Sequence, residues 1–132
     1  MSKLTDFLIE NKAGDITEEV ILSARLKDFP FKIKAMTSDE FDEYQNAATK
    51  ISKGKKVDFN NGLFRNKVII NHTLEPNFKD ADFIKKSGCA TPEQLINSVL
   101  LAGEAAELSQ KISEISGFGT DMDELINEAK NS

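Results

Sequence analysis

A chain of 132 residues is long enough for one domain with a real core and too short to suggest two. Its formal charge of −5 and pI near 4.9 repel phosphate, which argues against nucleic acid as a partner. No apolar run reaches the roughly 18 to 20 residues of a bilayer-crossing helix, and the start MSKLTDFLIEN, with acids inside its short apolar segment, does not read as a secretory signal. The single cysteine, Cys89, cannot close an internal disulfide and fits a reducing cytosol.

Residues 1–11 place Leu4, Phe7 and Leu8 on one side of a short amphipathic helix. A helix under about 12 residues is marginal alone, so this one must dock or fray. The breaker Ala13-Gly14-Asp15 follows. Between Ile16 and Met36 the period falls to two. Val20, Leu22, Ala24 and Leu26 alternate with Ile21, Ser23, Arg25 and Lys27, and beyond a polar turn at Asp28 the residues Phe29, Phe31, Ile33 and Ala35 alternate with Pro30, Lys32 and Lys34. That pattern predicts a β-hairpin, with Pro30 at a strand start or edge. An isolated two-stranded ribbon is barely stable in water, so its apolar face must lie on helices or join another copy. Val20, Leu22, Phe31 and Ile33 are the residues that self-association would use.

Thr37-Ser38-Asp39-Glu40 is a capping box, and the helix it opens is expected from about Ser38 to Ile51 with Phe41, Tyr44, Ala48 and Ile51 on its buried stripe. Lys50, Lys53, Lys55 and Lys56 surround Gly54 without interleaved aromatics, which reads as a solvated loop rather than a binding patch. Asp58 is the expected cap of a helix from Phe59 to about Thr73, with Phe59, Leu63, Ile70 and Leu74 on one face. Glu75-Pro76-Asn77 is a turn, and residues 79–86 form a short helix presenting Phe83 and Ile84 and ended by Gly88. Thr91, Pro92 and Glu93 make a strong helix start. Leu101, Ala105, Leu108, Ile112 and Ile115 then share one stripe, Glu107 stands four residues before Lys111, and Gly117 supplies the left-handed stop over which Phe118 folds back. A corner is expected near residues 101–103, because Gly103 costs roughly 1 kcal/mol inside a helix. Residues 1–119 are expected to form a single domain, and residues 120–132 a last helix carrying Leu125 and Ile126 or a frayed tail. The fold class is α+β, mostly α: a short N-terminal helix and a β-hairpin followed by a cluster of about five helices.

Catalytic chemistry finds little support. His72 is the only histidine, which rules out a multi-histidine metal site, and no nucleophile or carboxylate adjoins it in sequence. Cys89 just before a helix start could be reactive, but reads better as a small half-buried turn residue. Asp39, Glu40, Asp42 and Glu43 crowd a helix start where negative charge is favoured anyway, and Asp121, Asp123 and Glu124 lack the glycine and spacing of a calcium loop. Phosphate-cradling and serine-elbow motifs are missing. The chain is therefore read as a non-enzyme with no cofactor and no metal.

What remains is interaction surface. Nine phenylalanines and broad apolar helix faces mostly fill a core, but Val99-Leu100-Leu101 and residues 115–118 hold more adjacent apolar side chains than one face can bury. The order of a short helix, VILSARLKDFPFKIKAMTSDEFDEY, LEPNFKDADF and LLAGEAAELSQKISEISGF resembles the XkdN-like tail assembly chaperones of phages and prophages of Gram-positive bacteria, with Ala102 where relatives often carry proline. The resemblance is most specific at Pro30 to Ala35 followed by Thr37, and at Leu100 to Glu104 followed by Ile115 to Phe118. It implies a non-catalytic protein of the host bacterial cytoplasm that keeps the tape measure protein soluble during tail morphogenesis and is absent from the finished virion. The client's helical apolar segments would lie against Leu100, Leu101, Ile115 and Phe118 by helix-in-groove binding. Self-association through the hairpin, giving a homo-oligomer, is the rival interface. A structural tail or connector component, or a small regulator of a host protein, are the alternative roles.

Overall fold

The computed structural model describes residues 2–118, and the expected helix or tail at residues 120–132 lies outside them. The N-terminal helix α1 runs Lys3–Glu10, with Ser2 accepting the Thr5 amide at its start. None of its residues is buried, so of the two outcomes open to so short a helix it takes the undocked one.

Strand β1 (Thr17–Val20) pairs antiparallel with β2 (Phe31–Lys34), with Val20 opposite Phe31. The hairpin is there, but its strands are shorter than the alternation suggested. Residues 21–30 form a long connection with one 3-10 turn at Ala24–Leu26 rather than a tight turn at Asp28. Sequence also missed a third strand: β5 (Thr73–Glu75) pairs antiparallel with the other edge of β2, giving the order β1-β2-β5. The expected self-association residues are therefore inside. Val20, Leu22, Phe31 and Ile33 belong to the core cluster, with Ile33 fully buried, because helices cover the face on which they project. As folded, all four side chains are buried within the chain itself.

Helix α2 (Ser38–Ala48) opens with the full Thr37–Glu40 capping box. It ends three residues earlier than its apolar stripe suggested. Thr49, Ile51 and Val57 are β-branched and alternate with polar residues, and Gly54 and Lys55 take positive φ between them. The chain accordingly makes a second ribbon, β3 (Thr49–Ser52) and β4 (Lys56–Phe59), where a helix end and a loop were expected. Ile51 consequently points to solvent, 72% exposed. Asn60, not Asp58, caps α3 (Asn61–His72), which buries Val68, Ile69 and Ile70 on the core side. Leu74 falls in β5 and is partly exposed instead of continuing that helix face.

Phe78, which the pattern did not single out, is fully buried and stacks on Phe83 at 6.0 Å. Phe83 and Ile84 of α4 (Ala81–Lys86) pack on the core, and Gly88 turns the chain with φ 75°. Helices α5 (Pro92–Val99) and α6 (Ala102–Ser113) follow as expected, Thr91 capping the first, with the corner at Leu100-Leu101. A final wide turn, Glu114–Phe118, closes on Gly117 at φ 100°. The core lies between the sheet, α3, α5 and α6, filled by Ile33, Ile69, Leu95, Ile96, Leu108 and Ile112, all essentially inaccessible to solvent.

Candidate functional site

The α5–α6 corner is held by one buried carboxylate. Glu104 is 2% exposed, and four donors converge on it. Arg25 donates from Nε to Oε2 at 2.8 Å and from a terminal nitrogen to Oε1 at 2.6 Å, the Ser23 hydroxyl donates at 2.5 Å, and the Leu101 amide donates at 2.8 Å. Arg25 also donates to the Val99 carbonyl at 3.0 Å. The long β1–β2 connection is thereby clamped to a corner about 80 residues further along the chain. The Arg25 guanidinium, with help from Ser23 and the Leu101 amide, outweighs burial and holds the Glu104 carboxyl down at about 2. The local consequence is that Leu101, with its backbone amide tied inward, projects its side chain outward, 60% exposed.

The three other expected partner-binding residues are placed differently. Leu100, Ile115 and Phe118 are each partly buried against the core cluster. Leu100 and Leu101 precede α6, whereas Ile115 and Phe118 follow it, and a helix of 12 residues separates them by about 18 Å. The four do not share one patch. At the far end, Ser116 donates to the Ile112 carbonyl at 2.6 Å and accepts the Met36 amide at 2.8 Å. This anchors the last turn beside α2, where Met36, Phe41 and Phe118 line a cleft of about 290 Å³. The expected Glu107–Lys111 pair is present at 3.7 Å, and Lys111 also reaches Glu114 at 3.6 Å.

His72 and Tyr44 are buried titratable rings that meet between α2 and α3. The His72 Nε2 shares a 2.8 Å hydrogen bond with the Tyr44 hydroxyl, and Glu40 stands 3.6 Å away. Burial lowers the His72 pKa below the ordinary value, with the Lys34 charge acting in the same direction against Glu40 and nearby backbone carbonyls. Burial, then the charges of Glu40 and Glu43, push the Tyr44 hydroxyl up to about 12. A neutral imidazole on a neutral phenol, sealed from solvent, tightens the contact between α2 and α3. No group of three or more potential metal ligands occurs among the described residues, and no described helix is long and apolar enough to cross a membrane.

Exposed apolar side chains also cluster elsewhere. Leu4, Phe7, Leu8 and Ile9 of α1 are each more than half exposed, and the second ribbon shows Ile51, Val57 and Phe59. Sequence reasoning identified the α1 face but missed the ribbon, and it missed Arg25–Glu104 as well. Glu104 three residues after Leu101 has capping-box spacing, but a leucine at the cap position hides the motif.

Comparison with known proteins gives consistent results. Residues 4–130 match the model of the phage XkdN-like tail assembly chaperone proteins. The phage-like element PBSX protein XkdN of Bacillus subtilis (strain 168) is 31% identical, over 95% of this chain and 92% of that one. The uncharacterized protein YqbN of the same strain is 29% identical, over 86% and 83%. A crystal structure of YqbN superposes with a TM-score of 0.69 at 26% identity, covering 89% of this chain and 98% of that one.

Proposed function

The chain belongs to the XkdN-like family of phage tail assembly chaperones, and on that footing we propose that it binds the tape measure protein and keeps it soluble while the tail is built. It acts without catalysis, in the host bacterial cytoplasm, and leaves before the virion is complete. A long helical client with apolar segments would self-associate if left uncovered, since apolar burial drives association at about 25 cal/mol per Å² before entropic costs. The observation that carries this reading is apolar surface left uncovered on a well-packed chain. An amphipathic helix with no buried residue displays Leu4, Phe7, Leu8 and Ile9, and Leu101 stands out from a corner fixed by a buried carboxylate. Such faces suit client helices laid against them. Half-buried Leu100, Ile115 and Phe118 would border the contact rather than form its centre.

The test is co-expression with the neighbouring tape measure gene, scoring how much client stays in the supernatant. Wild type is expected to hold it there. Leu101→Glu combined with Phe7→Glu is expected to send it to the pellet while the chaperone keeps its own circular dichroism and melting transition. A client that is equally soluble with and without the chain defeats the proposal, as does recovery of this chain in stoichiometric amount from purified particles, which would make it a tail component.

A further inference from the structure

The second ribbon is two-sided. Alternate residues of a strand share a face, and Thr49 opposite Phe59 with Ile51 opposite Val57 puts these four on one side. Lys50, Ser52, Lys56 and Asp58 take the other side, and Lys53 and Lys55 stand in the turn beyond. Exposure on the apolar side rises from 44% at Phe59 through 61% at Val57 to 72% at Ile51. At its base this side runs into an open cleft of about 660 Å³, where Ala47, Ala48 and Leu63 meet Phe59. Residues 49–60 carry four lysines and one acid, a local charge of +3 in a chain of −5, which leaves −8 for the remainder. None of the ion pairs among the described residues uses one of these lysines.

We infer that this ribbon docks an acidic amphipathic helix of a partner protein, apolar stripe on Ile51, Val57 and Phe59 and acids on the lysine turn. The apolar side chains lie on the face of the ribbon, not along its edges. A helix laid across the face covers them, whereas an extended segment added to an edge leaves them in water. Charge then selects the place: an acidic segment is repelled by the rest of the surface and attracted here. Geometry sets the partner's spacing. From Phe59 to Lys56 is three strand steps, about 10 Å, which is the rise of about seven helical residues. An apolar anchor at i therefore fills the cleft beside the two small alanines, i+3 and i+4 cover Val57 and Ile51, and acids from i+7 onward meet Lys53, Lys55 and Lys56. The negative end of a helix dipole is its C-terminus, so the acids follow the anchor in sequence. A flat lipid surface matches the charge but leaves the cleft unfilled. The inference rests on the reading that the chain holds a helical client, and it adds which feature of a client segment is recognised.

The experiment titrates a synthetic helix of that pattern, about 16 residues long so that it is not marginal alone, into the isotope-labelled full chain. Saturable amide shifts are expected within residues 47–63, with an affinity that falls as salt is added. The same peptide with lysines for its acids should bind about tenfold more weakly, because surface ion pairs become repulsions. Moving the acids ahead of the anchor should weaken binding severalfold. Lys53→Glu, Lys55→Glu and Lys56→Glu together should reverse the preference, so that the lysine peptide binds better than the acidic one. Ile51→Ser with Val57→Ser should bind neither while keeping the wild-type circular dichroism. Equal affinity for the acidic and lysine peptides overturns the inference, as do shifts centred outside residues 47–63 or a triple variant that keeps the wild-type preference. So do phosphatidylglycerol vesicles that bind the chain and displace the peptide, which gives the ribbon to a lipid surface, and self-association that shields the ribbon from the peptide, which gives it to a second copy. Absence of peptide binding beside a client that stays soluble removes the ribbon and leaves the chaperone reading intact. Binding of the peptide beside an insoluble client removes that reading and keeps the site.

Discussion

Among the described residues, two antiparallel pairs of four-residue strands meet opposite fates. In β1–β2 the apolar residues Val20, Phe31 and Ile33 are sealed in the core; in β3–β4 the equivalent residues Ile51, Val57 and Phe59 face outward. Local pattern does not distinguish their second strands, since Phe31 and Ile33 in β2 and Val57 and Phe59 in β4 both alternate with period two. The difference lies in what the rest of the chain brings. β5 pairs with the free edge of β2 and helices cover the sheet, whereas β3–β4 is tied at its base by the Asn60 amide on the Ala48 carbonyl at 2.8 Å and by Phe59 against Phe64. A bare ribbon is marginal in water, so the first pair is stable through burial and the second through its tethers.

The sharpest way to break that comparison is to truncate matched side chains in the two pairs. Ile33→Ala should cost about 3 to 4 kcal/mol, because a fully buried isoleucine loses both transfer energy and the packing of the cavity left behind. Set against a typical total of about 5 to 15 kcal/mol, that brings the domain close to unfolding at 37 °C. Urea denaturation followed by circular dichroism measures it. A cost no larger than that of an exposed residue would mean that the three-stranded sheet is not the core wall described above.

Next in size is the clamp that ties the β1–β2 connection to the α5–α6 corner. Glu104→Gln should cost about 2 kcal/mol: it weakens two charge-assisted bonds and leaves Ser23 and Leu101 poorly matched, while half-exposed Arg25 recovers water. The ionised form is the one favoured on folding, so the contribution is complete above the ordinary carboxylate value of 4.5 and disappears as pH falls through about 2. Acid titration of the urea midpoint should show wild type losing stability across that window and the Gln variant losing less. Parallel curves would deny Glu104 the role.

These regions also separate what was readable in the sequence from what was not. Caps carry their chemistry in adjacent residues, so Thr37, Thr91, Pro92 and Gly117 could be placed in advance. The hairpin was legible from its alternation, and the α6 stripe from its spacing. Partners brought together over long separations were not: Arg25 reaches Glu104 across 79 positions, and β5 joins β2 with only three residues, too few to show a period. The second ribbon failed for another reason. Ile51 extends the α2 stripe at helical spacing, and the competing β signal from Thr49, Ile51, Val57 and the positive-φ turn was the weaker one to the eye. Of the expected contact residues, Leu101 alone is prominently exposed, because burial depends on neighbours that spacing cannot name.

A smaller effect is expected where α2 crosses α3. Tyr44→Phe removes the hydroxyl that satisfies His72 Nε2 in a sealed site and should cost about 1 kcal/mol. His72 is favoured neutral in the fold, so its contribution is whole above its ordinary value of 6.5 and is lost as pH falls below that toward the lowered folded value. Tyr44 works at the other extreme: its neutral form is favoured, its contribution is present below pH 10, and it fades as pH rises toward about 12. Histidine chemical shifts followed through pH titration would check the first limb; a His72 that titrates at or above 6.5 contradicts it.

The least costly change should be the one that speaks most directly to the second ribbon. Ile51→Ser and Val57→Ser together remove the outward apolar pair from strands whose cross-strand partners remain, and each side chain is already more than half in water. Within the described residues little burial is lost, so stability should move by less than about 0.5 kcal/mol per site. Loss of Ile51 and Val57 should nonetheless lower binding of a hydrophobic dye, because exposed apolar clusters, unlike scattered single residues, offer it a surface. If the pair is instead covered by another part of the chain, stability falls by more than that and dye binding stays level or rises. Urea and dye titrations on the same two proteins therefore tell a bare ribbon from a covered one. The same substitutions in the β1–β2 pair, at Phe31 and Ile33, could not do so, because there the unfolding itself would dominate both readings.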